Sequence, residues 1–312
     1  MPLILFKWIK SLITLAIVLV SLYFFYQYKE DFYLISKVSP SLLIALSLLA
    51  ILSITINGNK LRLITKAFKI ELNSYEWLGL AFISSFFNGL VYKSGSLFTS
   101  NYLKEKHNLS YASFVGALGG DHLMMILINA FIGLGISIYA TILSISILPV
   151  SIFFLALVIG IFSLAKNPFV ISTSKNQFFD VLFRASDTLH KILQNKLLFK
   201  FLFLNNSFLA IVMGLRLYVA CKAIGINFEI LDCYIFTTAS AFVRLIPMLQ
   251  SDIGSRELAV GFLSESLGSG FEQGVLATAT DRVFEMAWGL IGLTVFRNLL
   301  INPTASSRKD KI

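Results

Sequence analysis

The residues best placed to do chemistry lie in two short stretches of the second half. Arg256-Glu257 follows Gly254-Ser255. Asp281-Arg282 heads a later apolar run, with Glu285 four positions beyond Asp281. Arg244 and Pro247 precede them, and Asp252 lies between. Charges inside apolar segments are expensive, so they face a protein interior or a wet cavity. Pro247 and Gly254 bracket a stretch that cannot continue as regular helix, because proline removes a donor and glycine admits unusual dihedrals. A helix starting near Gly254 aims its free N–H groups and positive dipole end into that break. Arg256 in its first turn adds a forked, permanent cation. Together they make a receptor for a phosphate or another anionic head group. A second reading uses the same residues: Glu257, Asp281 and Glu285 neutralise Arg256, Arg282 and Arg244 and pin the fold. Asp281 and Glu285 share one helix face, so such ion pairs form easily.

The elements that must hold these residues are membrane helices. Of 312 residues, 56% are hydrophobic and 14% charged, against about 25% charged in soluble domains. No stretch is long and polar enough for a soluble catalytic domain. Spans of about 20 apolar residues are expected near 11–27, 40–58, 76–92, 112–138, 143–165, 200–221, 231–248 and 273–300, with half-helices near 94–104 and 254–264. The fold class expected is therefore all-α and polytopic: about 8 transmembrane helices plus two re-entrant half-helices, in a single integral membrane domain over 1–312. The apolar run at 13–25 lacks a small-residue cleavage site, so it reads as a retained span, not a signal peptide.

The chain reads as one unit used twice. Gly95-Ser96 leads through the polar break Lys104–Asn108 to Asp121-His122, and Gly254-Ser255 leads through Glu265–Gly270 to Asp281-Arg282. The offset is about 160 residues, and repeats at a fixed offset mark repeated structural units. The first repeat covers about 40–138 and the second about 200–300. Loop charges alternate: Lys60, Arg62, Lys66 and Lys69 make the second loop positive, Glu265 and Glu272 make a late one negative, and the C-terminal tail is positive. Positive loops face the cytoplasm. With two re-entrant half-helices, both termini lie inside and the second repeat is inverted relative to the first, which places a shared site near the midplane. Between the repeats, 166–200 alternates apolar and basic residues as an amphipathic cytoplasmic linker.

Matching positions in the first repeat are Asn88, Lys93, Gly95, Asp121 and His122. A core role fits them better than binding: Lys93 can snorkel, and His122 reads equally as a satisfied polar residue or a titrating one. Asp121-His122 could also carry protons. Cys221 and Cys233 read as packing residues, although a disulfide is conceivable. The three histidines are too dispersed for a metal site, and no Walker loop or Gly-x-Gly-x-x-Gly fingerprint occurs. No catalytic residue, metal or cofactor is expected. The net charge of +9 is scattered over loops, which argues against nucleic acid as a partner.

Pro247, then Gly254-Ser255-Arg256-Glu257, a short helix, and Arg282 heading a long span resemble the C-terminal signature of the lysylphosphatidylglycerol synthase transmembrane-region family. The resemblance extends from about residue 40 to 300. Members typically carry a Pro and a Gly-Glu where this chain has Tyr92 and Gly95-Ser96, and an Arg near His122. The resemblance implies a flippase-like protein of the cytoplasmic (inner) membrane that moves a lipid-linked substrate between leaflets. It also implies a stand-alone form without the aminoacyl-transferase domain, so no lysine transfer and no enzyme activity. The substrate expected is an anionic lipid: a phospholipid, an aminoacyl-phospholipid or a polyprenyl-phosphate glycan. A homo-oligomer and docked envelope biosynthesis enzymes are the protein partners such a chain admits. The alternative is a non-catalytic membrane subunit of an envelope lipid or glycan synthesis complex. An intramembrane transferase using Asp281 or Glu285 is a third.

Overall fold

In the computed structural model, the described residues are 39–90, 93–142, 148–166, 194–243 and 254–301, together with 190 and 192. They form helices α1 (Pro40–Ala67), α2 (Ser74–Leu90), α3 (Ser94–His107), α4 (Tyr111–Ile142), α5 (Leu148–Lys166), α6 (Lys196–Ala223), α7 (Ile230–Val243), α8 (Ser255–Ser266), α9 (Phe271–Val295) and α10 (Asn298–Ile301). No strand occurs among them. The chain is an all-α membrane protein, and α1, α4 and α6 are each long and apolar enough to cross a bilayer. The expected span at 11–27, most of the linker expected at 166–200 and the break at 244–253 lie outside the described residues.

Helix ends follow local chemistry. Pro40 opens α1, where its missing N–H costs nothing. Asn73 and Glu76 cap α2 reciprocally, Glu76 N–H donating to Asn73 Oδ1 at 2.9 Å and Asn73 N–H to Glu76 Oε2 at 3.0 Å, as in a capping box. Asn108 takes a positive φ of 55° after α3, and Leu109 N–H then donates to Leu103 O at 3.2 Å, a common helix stop.

On α6 the outward face is Leu197, Phe201, Leu204, Phe208 and Ile211, all well exposed, whereas Leu202, Asn206, Leu209 and Arg216 are buried. A helix with apolar residues outside and polar ones inside suits lipid as the surrounding solvent. α1 repeats the pattern, with Ile44, Leu48 and Leu52 exposed and Ala50, Ser53 and Ile54 buried. Among the described phenylalanines, Phe201, Phe208 and Phe262 face outward, while Phe114 and Phe236 are interior.

Two compact units emerge. The first comprises residues up to Ile54, Phe82–Ser96 and Val212–Leu293. Its core joins Leu217 and Cys221 of α6, Cys233 and Phe236 of α7, Val260 of α8 and Ala277 of α9. Cys221 and Cys233 are free thiols with their sulfurs 4.0 Å apart in that core. The second unit comprises Thr55–Ala81, Leu97–Ile211 and the chain from Thr294. Within it Trp77 covers Gly58, Phe154 covers Gly133, and Tyr75 packs tilted against Phe296 with ring centroids 5.0 Å apart.

The second loop was expected to begin after residue 58, yet α1 continues to Ala67 and takes Lys60, Arg62 and Lys66 into the helix. Lysine and arginine propagate helices well, so polarity alone did not end it. Arg62 and Lys66 stay exposed on its last turns, whereas Lys60 turns inward.

Candidate functional site

In the first unit, Gly254 initiates α8 with φ 86°, a conformation that L side chains adopt only with strain. Its N–H donates to Glu257 Oε2 at 2.9 Å, so a carboxylate of the same helix already sits at the N-terminus. This alters the expectation of free N–H groups there. Glycine has no side chain to return the bond, so only half of a capping box is made. Glu257 Oε1 also pairs with Arg282 Nε at 3.0 Å, joining α8 to α9. The close α8–α9 approach depends on Gly274, where an added Cβ would lie 2.6 Å from the Val260 carbonyl.

Asp281 lies at the centre, fully buried. Arg256 Nη2 of α8 donates to its Oδ2 at 2.8 Å. Arg216 of α6 grips the same carboxylate from the other side, through Nε to Oδ1 and through Nη2 to Oδ2 at 2.9 Å. Arg216 Nη2 also reaches Glu285 Oε2 at 2.5 Å, and Nη1 reaches Ser53 Oγ of α1 at 2.6 Å. Ser85 Oγ of α2 donates to Glu285 Oε1 at 3.2 Å. Helices α1, α2, α6, α8 and α9 thus converge on one charged cluster inside the first unit.

The structure brings together Gly254, Arg256, Glu257, Asp281, Arg282 and Glu285, while Arg244 lies outside the described residues. Arg216, Ser53 and Ser85 complete the cluster and were not anticipated. Arg216 carried a legible signal: it is the sole charge between Lys200 and Lys222, in the middle of an apolar run. Such a charge is a functional or structural anchor by default.

The first-repeat candidates separate. Asn88 Oδ1 accepts from Gly95 N–H at 3.0 Å, and Ser94 Oγ donates to Phe87 O at 2.7 Å, closing the α2–α3 connection. Lys93, at φ 58°, is exposed. Asp121 belongs to the second unit, where Lys60 Nζ lies 2.9 Å from Oδ2 and Asn206 Nδ2 donates to Oδ1 at 2.8 Å. His122 does not join it. It is exposed and its Nδ1 meets Leu118 O at 2.7 Å, because neighbouring helical residues point about 100° apart.

The family model described as Lysylphosphatidylglycerol synthase TM region matches residues 9–292. The chain belongs to this family. No curated protein and no solved structure matches it significantly. The lysylphosphatidylglycerol synthase transmembrane region is a membrane domain associated with lipid or envelope biosynthesis, and this member is a multi-pass membrane protein of that kind.

In this family member the cluster holds three guanidinium groups, of Arg216, Arg256 and Arg282, against three carboxylates, of Glu257, Asp281 and Glu285. Among the described residues its formal charge is zero. Its members differ in how fully they are used. Arg216 spends Nε and both terminal nitrogens on protein acceptors. Arg256, only 3% exposed, leaves Nε without an acceptor among the described residues. A buried, unsatisfied charged donor is costly, and a ligand oxygen would relieve it. Glu285 is the most accessible carboxylate, its side chain 30% exposed.

Proposed function

We propose that this protein is a flippase-like transporter that moves an anionic lipid or lipid-linked substrate between the leaflets of the cytoplasmic membrane. The observation that carries this reading is Arg256, a buried guanidinium with a spare Nε donor. A phosphate oxygen taking that donor would form a charge-assisted bond in a low-dielectric interior, where such bonds are strong. Arg216 plays a different part, holding Asp281 and Glu285 in place while Arg256 and Arg282 exchange carboxylate for phosphate. Glu285 would then read a cationic group on the substrate. In the same reading the two halves are inverted repeats with both termini cytoplasmic, and rocking of one repeat against the other gives alternating access.

The test is lipid movement in proteoliposomes, using fluorescent lipids of different head-group charge and comparing wild type with Arg256→Ala. Anionic lipid transfer should fall more than tenfold while thermal stability drops only modestly, since Asp281, the acceptor of the Arg256 hydrogen bond, stays gripped by Arg216. Equal losses of stability and transfer would make Arg256 a structural residue. The zero net charge of the cluster favours a second reading, a non-transporting membrane subunit of an envelope synthesis complex. Well-folded protein that transfers no lipid would establish that reading instead.

A further inference from the structure

The chain has only two cysteines among 312 residues, and in the first unit they meet. Cys221 lies in the last turn of α6 and Cys233 in the first turn of α7, 12 residues apart. Their sulfurs are 4.0 Å apart and both residues are 0% exposed. Around them stand Leu217, Phe228 and Phe236, with Val260 of α8 and Ala277 of α9 closing the core. A free cysteine in such a core acts as a small apolar filler, and alanine or valine would serve as well. Filling space gives no reason for the two cysteines of the chain to lie against each other.

Local chemistry brings the pair together before the rest of that core exists. Gly225 takes a φ of 78° after α6, a conformation open to glycine, and Ile226 N–H donates to Cys221 O at 2.9 Å. The turn 224–229 then leads directly into α7. Val260 and Ala277 come later in the chain, and a chain is made N-terminus first. Until α8 and α9 pack, the thiols are covered only by their own hairpin. The side of the membrane matters too. Around this turn run Lys222, Glu229 and Asp232, one basic residue against two acidic ones, whereas Lys60, Arg62, Lys66 and Lys69 crowd the other end of the bundle's early helices. Basic residues mark the cytoplasmic side. In the orientation proposed above, the α6–α7 turn therefore faces outward, where disulfides form and persist.

We infer that Cys221 and Cys233 form a disulfide in the mature protein, an inference that rests on the orientation given above. Closing the bond draws the sulfurs from 4.0 Å to about 2 Å. The oxidant is a protein disulfide of the outer compartment. One cysteine, as its thiolate, attacks a sulfur of that disulfide and displaces the other sulfur, giving a mixed disulfide. The second cysteine attacks the mixed disulfide and releases the carrier as a dithiol. The chain loses two protons and two electrons, and the carrier gains both. Packing of α8 and α9 then buries the bond and shields it from reduction. The bond joins the end of α6 to the start of α7, and α6 carries Arg216 five positions before Cys221. Ala277, in the same core, lies four positions before Asp281. The disulfide thus steadies the helix end next to the charged cluster.

The experiment takes the full chain from membranes, denatures it with a thiol-alkylating maleimide in the absence of reductant, and weighs it. Wild type should carry no label and weigh two hydrogens less than the reduced chain. After reduction it should take two labels, one at each cysteine. Cys221→Ser should take one label with or without reduction. Counting thiols on denatured chains makes the result independent of how well the variant folds. A second measurement reads the orientation by itself. Asn227, exposed in the turn, is changed to cysteine in the C221A/C233A chain, and intact cells are treated with a membrane-impermeant maleimide. Labelling at 227 is the expected result. Two labels on unreduced wild type, with position 227 labelled from outside, would overturn the disulfide and leave the orientation standing. A bond found between two chains, seen as a doubled mass without reductant, would also overturn it. Labelling at 227 only after the membrane is permeabilised would remove the orientation, and with it the route of oxidation.

Discussion

Replacing Arg216 by methionine, which keeps length and flexibility but no charge, should be the most damaging single change in the first unit. It removes both bonds to Asp281, the 2.5 Å bond to Glu285 and the 2.6 Å bond to Ser53. Asp281 keeps only Arg256, at 2.8 Å, and Glu285 keeps Ser85, at 3.2 Å. Glu285 then keeps no guanidinium, unlike in Arg256→Ala, where Arg216 still holds both Asp281 and Glu285, so one interior negative charge is uncompensated. Breaking a buried pair in this way costs about 3–5 kcal/mol. At ~2–4 °C per kcal/mol for chains of this general size, Tm should fall on the order of 10 °C. R216M/E285Q restores neutrality and should recover more than half of the loss, because the penalty is the orphaned charge and not the missing bonds. The assay is thermal unfolding of purified protein in detergent. A Tm for Arg216→Met within about 2 °C of wild type, on that scale, would refute the reasoning. So would a double variant no more stable than the single one.

Two further predictions concern glycines. Gly254→Ala should lower stability by about 1–2 kcal/mol, the cost of placing a Cβ in the left-handed region, at the φ of 86° that starts α8; an unchanged Tm would mean that α8 starts differently. Neighbouring glycines of α4 should behave oppositely: Gly133→Ala drives a methyl into the Phe154 ring and should destabilise, whereas Gly135 has nothing within 4 Å among the described residues, so Gly135→Ala should be neutral or gain about 0.5–1 kcal/mol. Parallel melting curves of the two variants decide it.

Much of the architecture was legible because lipid imposes a simple rule. Apolar runs of sufficient length must be helices, since only then are all backbone groups satisfied internally. The half-helix expected at 254–264 and found as Ser255–Ser266, and the long helix expected at 273–300 and found as Phe271–Val295, follow from that rule and from local turn chemistry. The grouping of Arg256, Glu257, Asp281, Arg282 and Glu285 was also readable, because two short stretches carry all of them and α8 is joined to α9 by a brief turn.

Lys60 was misplaced because a basic residue at the end of an apolar run looks like a loop residue. In a continuing helix, the 3.6-residue period puts Lys60 seven positions after Ser53 on the same inward face, while Arg62 and Lys66 face out. Composition and hydropathy thus determined that this chain is a helical membrane protein, roughly where its helices run, and which stretch concentrates charge. Only tertiary packing decided which charges meet. Arg216 and Asp281 are 65 residues apart, and Asp121 and Asn206 are 85 apart. Such pairings depend on how helices are placed beside one another, and a buried ion pair is defined by ångström-scale proximity and exclusion of water, neither of which a linear sequence contains.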